Sequence, residues 1–581
     1  MILSSTAAIP VYRDLLAGRR QAVAWGVTGT MPYLLLQSPH PFLFIVDRNP
    51  ELWGRRILGV PVRPPEDLAG LDPEGTAVVI TADFGRFGDA IAAQIAELGN
   101  HPAVRRMEPE MLSSLLGPIV PPSTEWLGGW PGQLNTAFWS DPVRFCSKAL
   151  RRHARPPRTE SGVPPHACLW VGGLATGGAE RQLVYLALGL RACGWRVTLV
   201  TQFPPGPAAE NYVRRVDEAG VARLEMPFPR EFWDGMESGL LERHRPALEC
   251  SAAFLHHVTH AVATSVQTLD TLNPDLLIGF LDSGCMVSGI AGLLTGVPHI
   301  LMCGRSVNPT HFPELEPLCR EPVMLPALYR LLLEHRSVRL ANNSKAGAAS
   351  YAGWIGMPAA GIGVVPNAVD LEALSQVPAD AGIRWRARLN ISPETPVIVG
   401  VFRLTEEKEP FVFLDVVERV HRHNPTVQAL LVGDGPLRAT LDERIRERGL
   451  SEVLRPLGRQ ADVFGILKAG DLLLQTSRME GMPNVVMEAQ ALGLPVVATS
   501  VGGTLECLAP MLHGFTADAG DANALATHCL TLLASPERAG LGKEAAAHIA
   551  RKASIPAMTQ RMLRAAGWPG PDTGGFEFTG V

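Results

Sequence analysis

Residues 476–489 read Thr-Ser-Arg-Met-Glu-Gly-Met-Pro-Asn-Val-Val-Met-Glu-Ala. The three leucines at 472–474 predict a buried strand over residues 471–475, and the apolar residues after Pro483 predict a helix. Pro483 suits the first helical turn, where its missing N–H costs little. Glu480 then lies in the loop at the helix N-terminus, and Glu488 lies about two turns into the helix. The pattern predicts two carboxylates on one strand–loop–helix unit, with free backbone N–H groups between them.

A second strand–helix unit carries two cations. Residues 400–408 read Gly-Val-Phe-Arg-Leu-Thr-Glu-Glu-Lys, so that Arg403 ends a predicted strand and Lys408 precedes a predicted helix. Two cations at a strand end can stabilise the charge that a diphosphate gains as its bond to a sugar breaks. A solvated pair neutralised by Glu406 and Glu407 would show the same residues, and both interpretations stay open.

A glycine-rich turn opens a third unit. Residues 172–181 read Gly-Gly-Leu-Ala-Thr-Gly-Gly-Ala-Glu-Arg, between a buried strand over 168–171 and an amphipathic helix over 180–190. Glycines allow close backbone approach, and a helix N-terminus offers unpaired N–H groups to an anion. A plain strand–helix turn would look the same, so the role of this turn depends on its context.

Alternation of strands and helices recurs in three blocks of the chain, which is typical of α/β proteins with parallel sheets. The 581 residues suffice for about three domains. Two successive doubly wound sheets predict a cleft at the carboxyl ends of their strands. The predicted divisions are a small Rossmann-like module (1–117), a Pro/Trp-rich connector (118–165), two further Rossmann-like domains (166–385 and 386–567) and a tail (568–581).

Composition excludes several classes of protein. Hydrophobic residues make up 46% and charged residues 19%, which indicates a globular chain. The net charge of −5 provides no basic field for nucleic acid. Nine cysteines without a Cys-x-x-Cys pair favour a reducing compartment and argue against a zinc site. Because no signal sequence opens the chain, we expect a cytoplasmic protein.

The longest apolar stretch, residues 276–303, is interrupted by Asp282, Pro298 and five glycines. A spanning helix needs about 20 apolar residues, so length alone permits a membrane segment. The interruptions favour a buried strand (276–280), a loop, a buried helix (286–295) and a second strand (299–303).

Together these segments resemble the retaining glycosyltransferases of family 4, which have the GT-B fold. The resemblance covers about residues 166–550, and it is specific because five motifs occur in one order. They are Gly-Gly-x-x-x-Gly-Gly-Ala-Glu-Arg at 172–181, Val-Pro-Asn-Ala-Val-Asp at 365–370, Gly-Asp-Gly-Pro-Leu at 433–437, Glu-Gly-x-Pro-Asn-x-x-x-Glu-Ala at 480–489 and Gly-Gly-x-x-Glu at 502–506. The fold it implies is α/β, with two Rossmann-like domains facing a cleft, preceded here by a small additional Rossmann-like α/β domain.

The resemblance also implies a role for each residue. Arg403 and Lys408 would grip the donor diphosphate, Glu480 would meet the donor sugar hydroxyls, and Glu488 would meet the ribose hydroxyls. The other residues implied in donor binding are Gly173, Gly177, Gly178, Gly458, Arg459, Gly481, Met482, Pro483, Asn484 and Val485. Among them, the 177–178 pair would close over the phosphates and the 458–459 pair would face the base. Transfer would retain the anomeric configuration, with a nucleotide sugar as donor substrate and without a metal or other cofactor.

The chain departs from the family pattern beside two strand ends. Where many members have a histidine, this chain has Asp282, which could accept a hydrogen bond from a sugar hydroxyl. Arg305-Ser306 resembles the Arg-Asn of a subgroup that often builds surface polysaccharides or lipid-linked oligosaccharides. Arg305 could bind an anionic acceptor or the donor, or it could form an interdomain ion pair. Ala368 replaces a usual glycine, which we expect to be harmless.

The expected activity is transfer of a hexose or N-acetylhexosamine from a UDP- or GDP-sugar to a saccharide or a lipid-linked acceptor. Two alternatives are a GT-B sugar-nucleotide 2-epimerase and a non-catalytic sugar-nucleotide sensor. A lipid-linked acceptor would bring the protein to the inner face of the membrane. Four connector arginines could contact that surface, although they could equally belong to a solvated linker: Arg151, Arg152, Arg155 and Arg158.

Two further patterns carry less information. The segment Gly26-Val27-Thr28-Gly29 follows a predicted strand and Asp47 ends the next one, which is a shortened nucleotide-binding fingerprint. Residues 46–62 resemble small Rossmann-like modules near sugar-modifying enzymes, so this region could bind a nucleotide or serve as a docking module with an empty site. The histidines at 256, 257 and 260 lack metalloprotease spacing and fit a polar helix face.

Overall fold

The structure of the chain is a computed structural model. It describes residues 11, 14–15, 18–26, 42–54, 56–57, 60–80, 91, 93–99, 101–105, 163–174, 177–203, 205, 209–226, 259–311 and 324–569. The predictions for residues 27–29, the four connector arginines, the histidines at 256 and 257 and the end of the tail lie outside these ranges. The chain divides into two compact units, Met1–Arg155 with Met226–Asn273 and Ile290–Gly296, and Pro156–Glu225 with Pro274–Gly289 and Val297–Val581.

The first unit contains an N-terminal sheet with the strand order β3-β4-β2-β1-β5-β6. Its strands are β1 (Gln21–Trp25), β2 (Phe42–Val46), β3 (Arg56–Ile57), β4 (Val60–Arg63), β5 (Thr76–Ile80) and β6 (Ala103–Arg105). Neighbouring strands are parallel except for the antiparallel pair of β3 and β4. An additional N-terminal α/β sheet is thus present, while its ability to bind a nucleotide stays a prediction. At the end of β2, Asp47 Oδ1 accepts a hydrogen bond from the Asn49 backbone N–H at 2.8 Å.

The second unit contains two parallel sheets. The first of them, here called the second sheet, has the order β13-β12-β11-β10-β7-β8-β9. Its strands are β7 (His166–Gly173), β8 (Arg196–Phe203), β9 (Ala222–Glu225), β10 (Leu276–Phe280), β11 (His299–Gly304), β12 (Val338–Asn342) and β13 (Gly363–Val364). Because β7, β10 and β11 are buried, their sequences are nearly continuous apolar runs and do not alternate with polar residues.

The third sheet has the order β16-β15-β14-β17-β18-β19 and is also parallel. Its strands are β14 (Val397–Val401), β15 (Gln428–Val432), β16 (Leu454–Gly458), β17 (Leu472–Gln475), β18 (Val496–Thr499) and β19 (Thr516–Ala517). Val397 and Val399 belong to one core cluster and Ile398 to another, because successive side chains point to opposite faces of a sheet. Both faces are therefore covered.

Sixteen α-helices are described. They are α1 (Gly178–Ala192), α2 (Glu210–Glu218), α3 (Thr259–Leu272), α4 (Leu281–Thr295), α5 (Met324–Leu333), α6 (Lys345–Ile355), α7 (Leu371–Ser375), α8 (Ala381–Arg388), α9 (Pro410–His423), α10 (Arg438–Glu447), α11 (Val463–Ala469), α12 (Asn484–Ala491), α13 (Thr504–Cys507), α14 (Ala522–Ala534), α15 (Arg538–Lys552) and α16 (Ile555–Ala565). No helix among the described residues has the length and apolar character needed to cross a membrane.

The loop predicted between residues 280 and 286 is wrong. Helix α4 begins at Leu281, directly after β10. Leu281 has a φ of 67°, and this left-handed conformation turns the chain sharply out of the strand. A side chain at Gly279 would overlap the Gly284 carbonyl, so glycine at 279 permits the helix to return against the strand end.

The predicted C-terminal boundary also differs from the structure. Helix α16 packs in the core of the second sheet, where Met558 and Met562 are buried beside residues of α1. Trp568, predicted to open a loose tail, lies with its ring centroid 4.6 Å from that of Trp195. The amphipathic character of α16 alone does not reveal which sheet it covers, and the prediction assigned it to the nearer one.

Candidate active site

The two predicted cations follow β14, but they have different partners. Arg403 is 68% exposed at its side chain, and its Nη2 lies 3.0 Å from Glu407 Oε1. Lys408 lies in a short 3₁₀ turn, and its Nζ donates to Glu480 Oε1 at 2.7 Å. Neutralisation by a neighbouring glutamate therefore applies to Arg403, whereas Lys408 pairs with the loop carboxylate.

Glu480 is held by three donors. It is 8% exposed, and its Oε1 accepts from Lys408 Nζ at 2.7 Å. The same oxygen accepts from Gln475 Nε2 at 2.6 Å and from Ser477 Oγ at 2.7 Å. These three bonds all end on Oε1 and orient the carboxylate, whereas Oε2 has no donor among the residues that the structure describes. A hydroxyl-rich ligand could provide that donor.

Gly481 brings the Glu480 loop against the end of β11. A Cβ atom at this position would lie 2.5 Å from the Arg305 carbonyl oxygen and 2.7 Å from Ser306 Cα. Backbone atoms cannot move aside as a flexible side chain can, so only glycine fits between the loop and the strand end. The carboxyl ends of β17 and β11, from different sheets, are therefore adjacent.

Asn484, the first residue of α12, contacts the glycine-rich turn. Its Nδ2 donates to the Gly178 carbonyl oxygen at 3.2 Å. Its Oδ1 accepts from Gln182 Nε2 at 3.1 Å and from Asn367 Nδ2 at 2.7 Å. Pro483 is extended and occupies the N-cap position, one residue before the first helical turn in which the sequence analysis placed it. The structure thus brings the 172–181 and 480–489 motifs together.

Glu488 lies within α12 and is 4% exposed. Its Oε1 is 2.7 Å from Nη1 of Arg181, a residue of α1. Burial works to lower the pKa of the Arg181 guanidinium, but Glu488 raises it above its ordinary value. The Glu488 carboxylate therefore stabilises the charged form of the Arg181 guanidinium.

The glycine-rich turn also carries a carboxyl group. Burial raises the pKa of Glu180 above its usual range, and the charge of Arg403 partly opposes that shift. Gly177 precedes α1 as its N-cap, and a side chain there would clash with the Glu180 carboxylate. Gly173 ends β7 opposite Phe203. The turn and the Arg403 strand end are thus close enough to interact electrostatically.

The other predicted donor-binding residues lie at the same edge of the third sheet. Gly458 ends β16, and its carbonyl oxygen accepts from the Gly433 backbone N–H at 2.9 Å. Arg459 follows it and is exposed. The Met482 carbonyl oxygen accepts from Asn367 Nδ2 at 3.0 Å, and Val485 is half-buried in the first turn of α12.

Asp282 has partners within the second sheet's own helices. Its Oδ1 accepts from Tyr329 Oη at 2.7 Å and from Tyr351 Oη at 2.8 Å. Burial raises the pKa of this carboxyl group above its usual range, although both hydrogen bonds oppose that shift. The tyrosines pack edge to face with centroids 5.9 Å apart. A contact between Asp282 and a sugar hydroxyl stays a prediction.

Arg305 follows β11 and is buried with its guanidinium over the Phe280 ring. No ion pair between Arg305 and a carboxylate is present among the residues that the structure describes. Across the same part of the chain, no three His, Cys, Asp or Glu side chains come close enough to hold a metal ion.

Two protein-family models match the chain. Residues 176–373 match the model described as Glycosyltransferase Family 4, and residues 395–535 match the model described as Glycosyl transferases group 1. Both models describe glycosyltransferases. The matched segments contain the residues that form the site, from the glycine-rich turn to Glu488.

Curated relatives of the chain include a polysaccharide biosynthesis protein and a galactosyltransferase. The chain is 29% identical over 394 residues to the Vi polysaccharide biosynthesis protein VipC/TviE of Salmonella typhi, covering 63% of this chain and 64% of that protein. It is 30% identical over 163 residues to an Escherichia coli protein, UDP-Gal:alpha-D-GlcNAc-diphosphoundecaprenol alpha-1,3-galactosyltransferase, covering 28% and 42%. The chain thus spans less than two thirds of the length of either relative.

Solved structures share the fold. Anabaena Alr3699/HepE, in complex with UDP and glucose, aligns with a TM-score of 0.55 at 21% identity, covering 69% of this chain and 99% of that one. Sucrose-phosphate synthase from Thermosynechococcus elongatus aligns with a TM-score of 0.53 at 20% identity, covering 69% and 98%. The predicted α/β class with GT-B architecture is confirmed, with the additional sheet before it.

Several residues of the site have no predicted role. Arg181 and Gln182 directly follow the glycine-rich turn, and Asn367 lies in the 365–370 motif. Glu506 ends the 502–506 motif, and its carboxylate accepts from the backbone N–H groups of Lys345 and Ala346 at 2.7 and 2.8 Å. Motif membership marked most of them for attention. Their partners could not be named because they are far apart in the chain.

Proposed function

We propose that the protein is a retaining glycosyltransferase that moves a hexose or N-acetylhexosamine from a UDP- or GDP-sugar to a saccharide or lipid-linked acceptor. The observation that carries the proposal is the arrangement around α12. Glu480, in the loop before α12, pairs with Lys408. Glu488, within α12, pairs with Arg181 of the 172–181 motif. In this proposal the cations, the carboxylates and the N-terminal N–H groups of α12 bind one nucleotide sugar.

In this proposal the donor diphosphate lies between the third-sheet cations and the glycine-rich turn. Arg403 and Lys408 contribute positive charge. Gly177, Gly178 and the backbone N–H groups of residues 481, 482, 484 and 485 approach the phosphate oxygens. Positive charge held in place before the reaction stabilises the negative charge that grows on the leaving diphosphate. Lys408 donates a hydrogen bond to Glu480. The residue that would bind the phosphate and the residue that would bind the sugar hydroxyls are therefore in direct contact.

The donor's remaining parts would meet the two carboxylates. Glu480 Oε2 would accept a hydrogen bond from a sugar hydroxyl, since Oε1 is occupied by protein donors. Glu488 would accept from the ribose hydroxyls, and Gly458 and Arg459 would face the base. Asp282 is a further candidate for a sugar hydroxyl.

The transfer step would exchange one bond of the anomeric carbon for another on the same face of the sugar. The bond to the diphosphate oxygen breaks, and the bond to the acceptor oxygen forms. The acceptor's proton moves to the departing phosphate oxygen, so no protein base is required. Protein cations, not a metal, would balance the leaving charge.

The relatives support the substrate class without choosing one member. They include a UDP-galactose enzyme that acts on a diphosphoundecaprenol-linked sugar and GDP-mannose-dependent mannosyltransferases that act on phosphatidylinositol mannosides. We therefore propose a sugar or lipid-linked sugar as acceptor and include peripheral contact with the inner face of the membrane. A cytoplasmic location would give the enzyme access to nucleotide sugars.

A donor panel followed by product analysis tests this function. UDP-glucose, UDP-galactose, UDP-N-acetylglucosamine, UDP-glucuronate and GDP-mannose are screened by thermal shift with the full chain. We expect one of them to raise the apparent melting temperature, because a ligand that binds only the folded state stabilises it. NMR of the transfer product should show the donor's anomeric configuration, and excess EDTA should leave the rate unchanged. An inverted product, or no binding by any donor, would contradict the proposal.

A further inference from the structure

Arg305 places a guanidinium deep beside the Glu480 loop. It follows β11 and is 9% exposed. Its guanidinium carbon lies 4.6 Å from the centroid of the Phe280 ring, and its Nη2 donates to Asn367 Oδ1. Nε is buried and has no hydrogen-bond partner among the described residues. The ring and the amide thus hold the group in place while part of its donor set is unused.

The charge of Arg305 lacks the compensation that its neighbours have. Arg181 pairs with Glu488 and Arg215 pairs with Asp370. Arg305 has no such carboxylate within the described part of the chain. Burial accordingly lowers its pKa to about 10, and the thiols of Cys303 and Cys285 are the groups that oppose this shift. An unpaired buried charge is costly and is retained where function requires it.

Asn367 connects Arg305 to the site. While Asn367 Oδ1 accepts from Arg305, its Nδ2 donates to the Met482 carbonyl oxygen at 3.0 Å and to Asn484 Oδ1 at 2.7 Å. The Arg305 backbone is also in contact with Gly481, the residue after Glu480. The guanidinium therefore lies next to the loop that the proposed function assigns to the donor sugar.

We propose that Arg305 binds a carboxylate or phosphate group of a saccharide substrate, on the transferred sugar or on the acceptor, so that the enzyme handles an acidic saccharide. This inference rests on the proposed function. A planar guanidinium matches the two oxygens of an oxyanion through paired N–H donors. The oxyanion has two chemical sources, a uronate as the donor sugar or an acidic group on the acceptor.

Binding measurements with the full chain distinguish the two sources. In the donor arm, titration calorimetry compares UDP, UDP-glucose and UDP-glucuronate. In the acceptor arm, ligand-observed NMR compares glucose, glucuronate and glucose 1-phosphate in the presence of saturating UDP. Each is measured for the wild type, Arg305→Met and Arg305→Lys. Arg384→Met is the matched control, since it removes an exposed arginine of α8 that lies outside the site.

We expect the wild type to bind the acidic probe at least ten times more tightly than the neutral probe in one of the two arms. Arg305→Met should remove that preference, Arg305→Lys should keep part of it, and the control should keep all of it. UDP affinity should be the same in all four proteins. The arm that shows the preference identifies its source.

Three results would overturn the inference. The first is a wild type without preference in either arm, and the second is an Arg305→Met variant that keeps the preference. The third is an Arg305→Met variant that also loses UDP binding, because that would make Arg305 a support of the cleft. Failure of the wild type to bind UDP or any donor of the panel would instead count against the proposed function.

Discussion

Glu480 and Glu488 are both carboxylates of the 480–489 motif, both are almost fully buried, and they depend on different parts of the molecule. Among the described residues, every side-chain donor to Glu480 comes from β17 or from the segments that follow β14 and β17 in the third sheet. The partner of Glu488 is Arg181, at the start of α1 on the second sheet. One carboxylate is therefore oriented by its own domain, and the other is oriented by the domain across the cleft.

This difference suggests a division of work between them. The orientation of Glu480 does not depend on the position of the second sheet, because its donors belong to the third-sheet domain. This suits a group that must contact the reacting sugar in a fixed geometry. Glu488 forms an ion pair with Arg181, which follows the glycine-rich turn. This contact suits a group that couples donor binding to the contact between the two domains. Substitutions can separate these two roles.

The largest effect is expected at Glu480. Glu480→Gln should lower kcat about 100- to 1,000-fold, because the neutral amide no longer balances Lys408 or accepts strongly from a sugar hydroxyl. Donor KM should change little. Steady-state kinetics with the donor found in the panel check this. Ser477→Ala is the matched control, since it removes one of the three donors to Oε1, and its loss should be far smaller. A Glu480→Gln enzyme with a kcat within threefold of the wild-type value would contradict the role proposed for Glu480.

A smaller effect is expected for the pair across the cleft. Arg181→Met and Glu488→Gln should each raise donor KM about tenfold or more and destabilise the protein by about 2 kcal/mol, because each leaves one buried partner unpaired. The double variant should lose less than the sum of the two. Chemical denaturation and kinetics on all four proteins complete the cycle. Strict additivity would show that the 2.7 Å contact is energetically unimportant.

The smallest effect is expected at the N-terminus of α6, whose backbone N–H groups are capped by one side chain from each of the two domains. Ser344 Oγ accepts from the Gly347 N–H at 2.9 Å within its own domain, and Glu506 accepts from Lys345 and Ala346 across the cleft. Ser344→Ala and Glu506→Ala should each lower stability by about 0.5–1 kcal/mol. Only Glu506→Ala should also raise donor KM a few-fold. Equal KM values for both variants would mean that cross-cleft contacts do not affect donor binding.

Much of the site follows from local patterns in the chain. The apolar run before Thr476, the proline at 483 and the apolar residues after it predict β17, the loop and α12 almost as they are. The same reasoning places Arg403 and Lys408 after β14 and the glycine-rich turn before α1. Such predictions succeed because strand and helix formation depend on neighbours two to four residues away.

The errors and omissions arise where distance along the chain is large or backbone geometry is unusual. Asp282 is bound by tyrosines 47 and 69 residues later, and Gln182 contacts Asn484 across 302 residues. The immediate start of α4 requires a non-glycine residue with positive φ, which sequence patterns rarely reveal. Helix α16 covers the second sheet although the third is nearer in sequence.

The sequence by itself determined the α/β class, the order of the motifs and the two carboxylates of α12. Only the tertiary structure decided that Glu480 pairs with Lys408 and that Glu488 pairs with Arg181. It also decided that Arg305 has no carboxylate partner among the residues that the structure describes. The reason is physical. A residue's type and spacing set its local conformation, whereas the energy of a buried charge depends on which other groups the fold brings within a few ångströms.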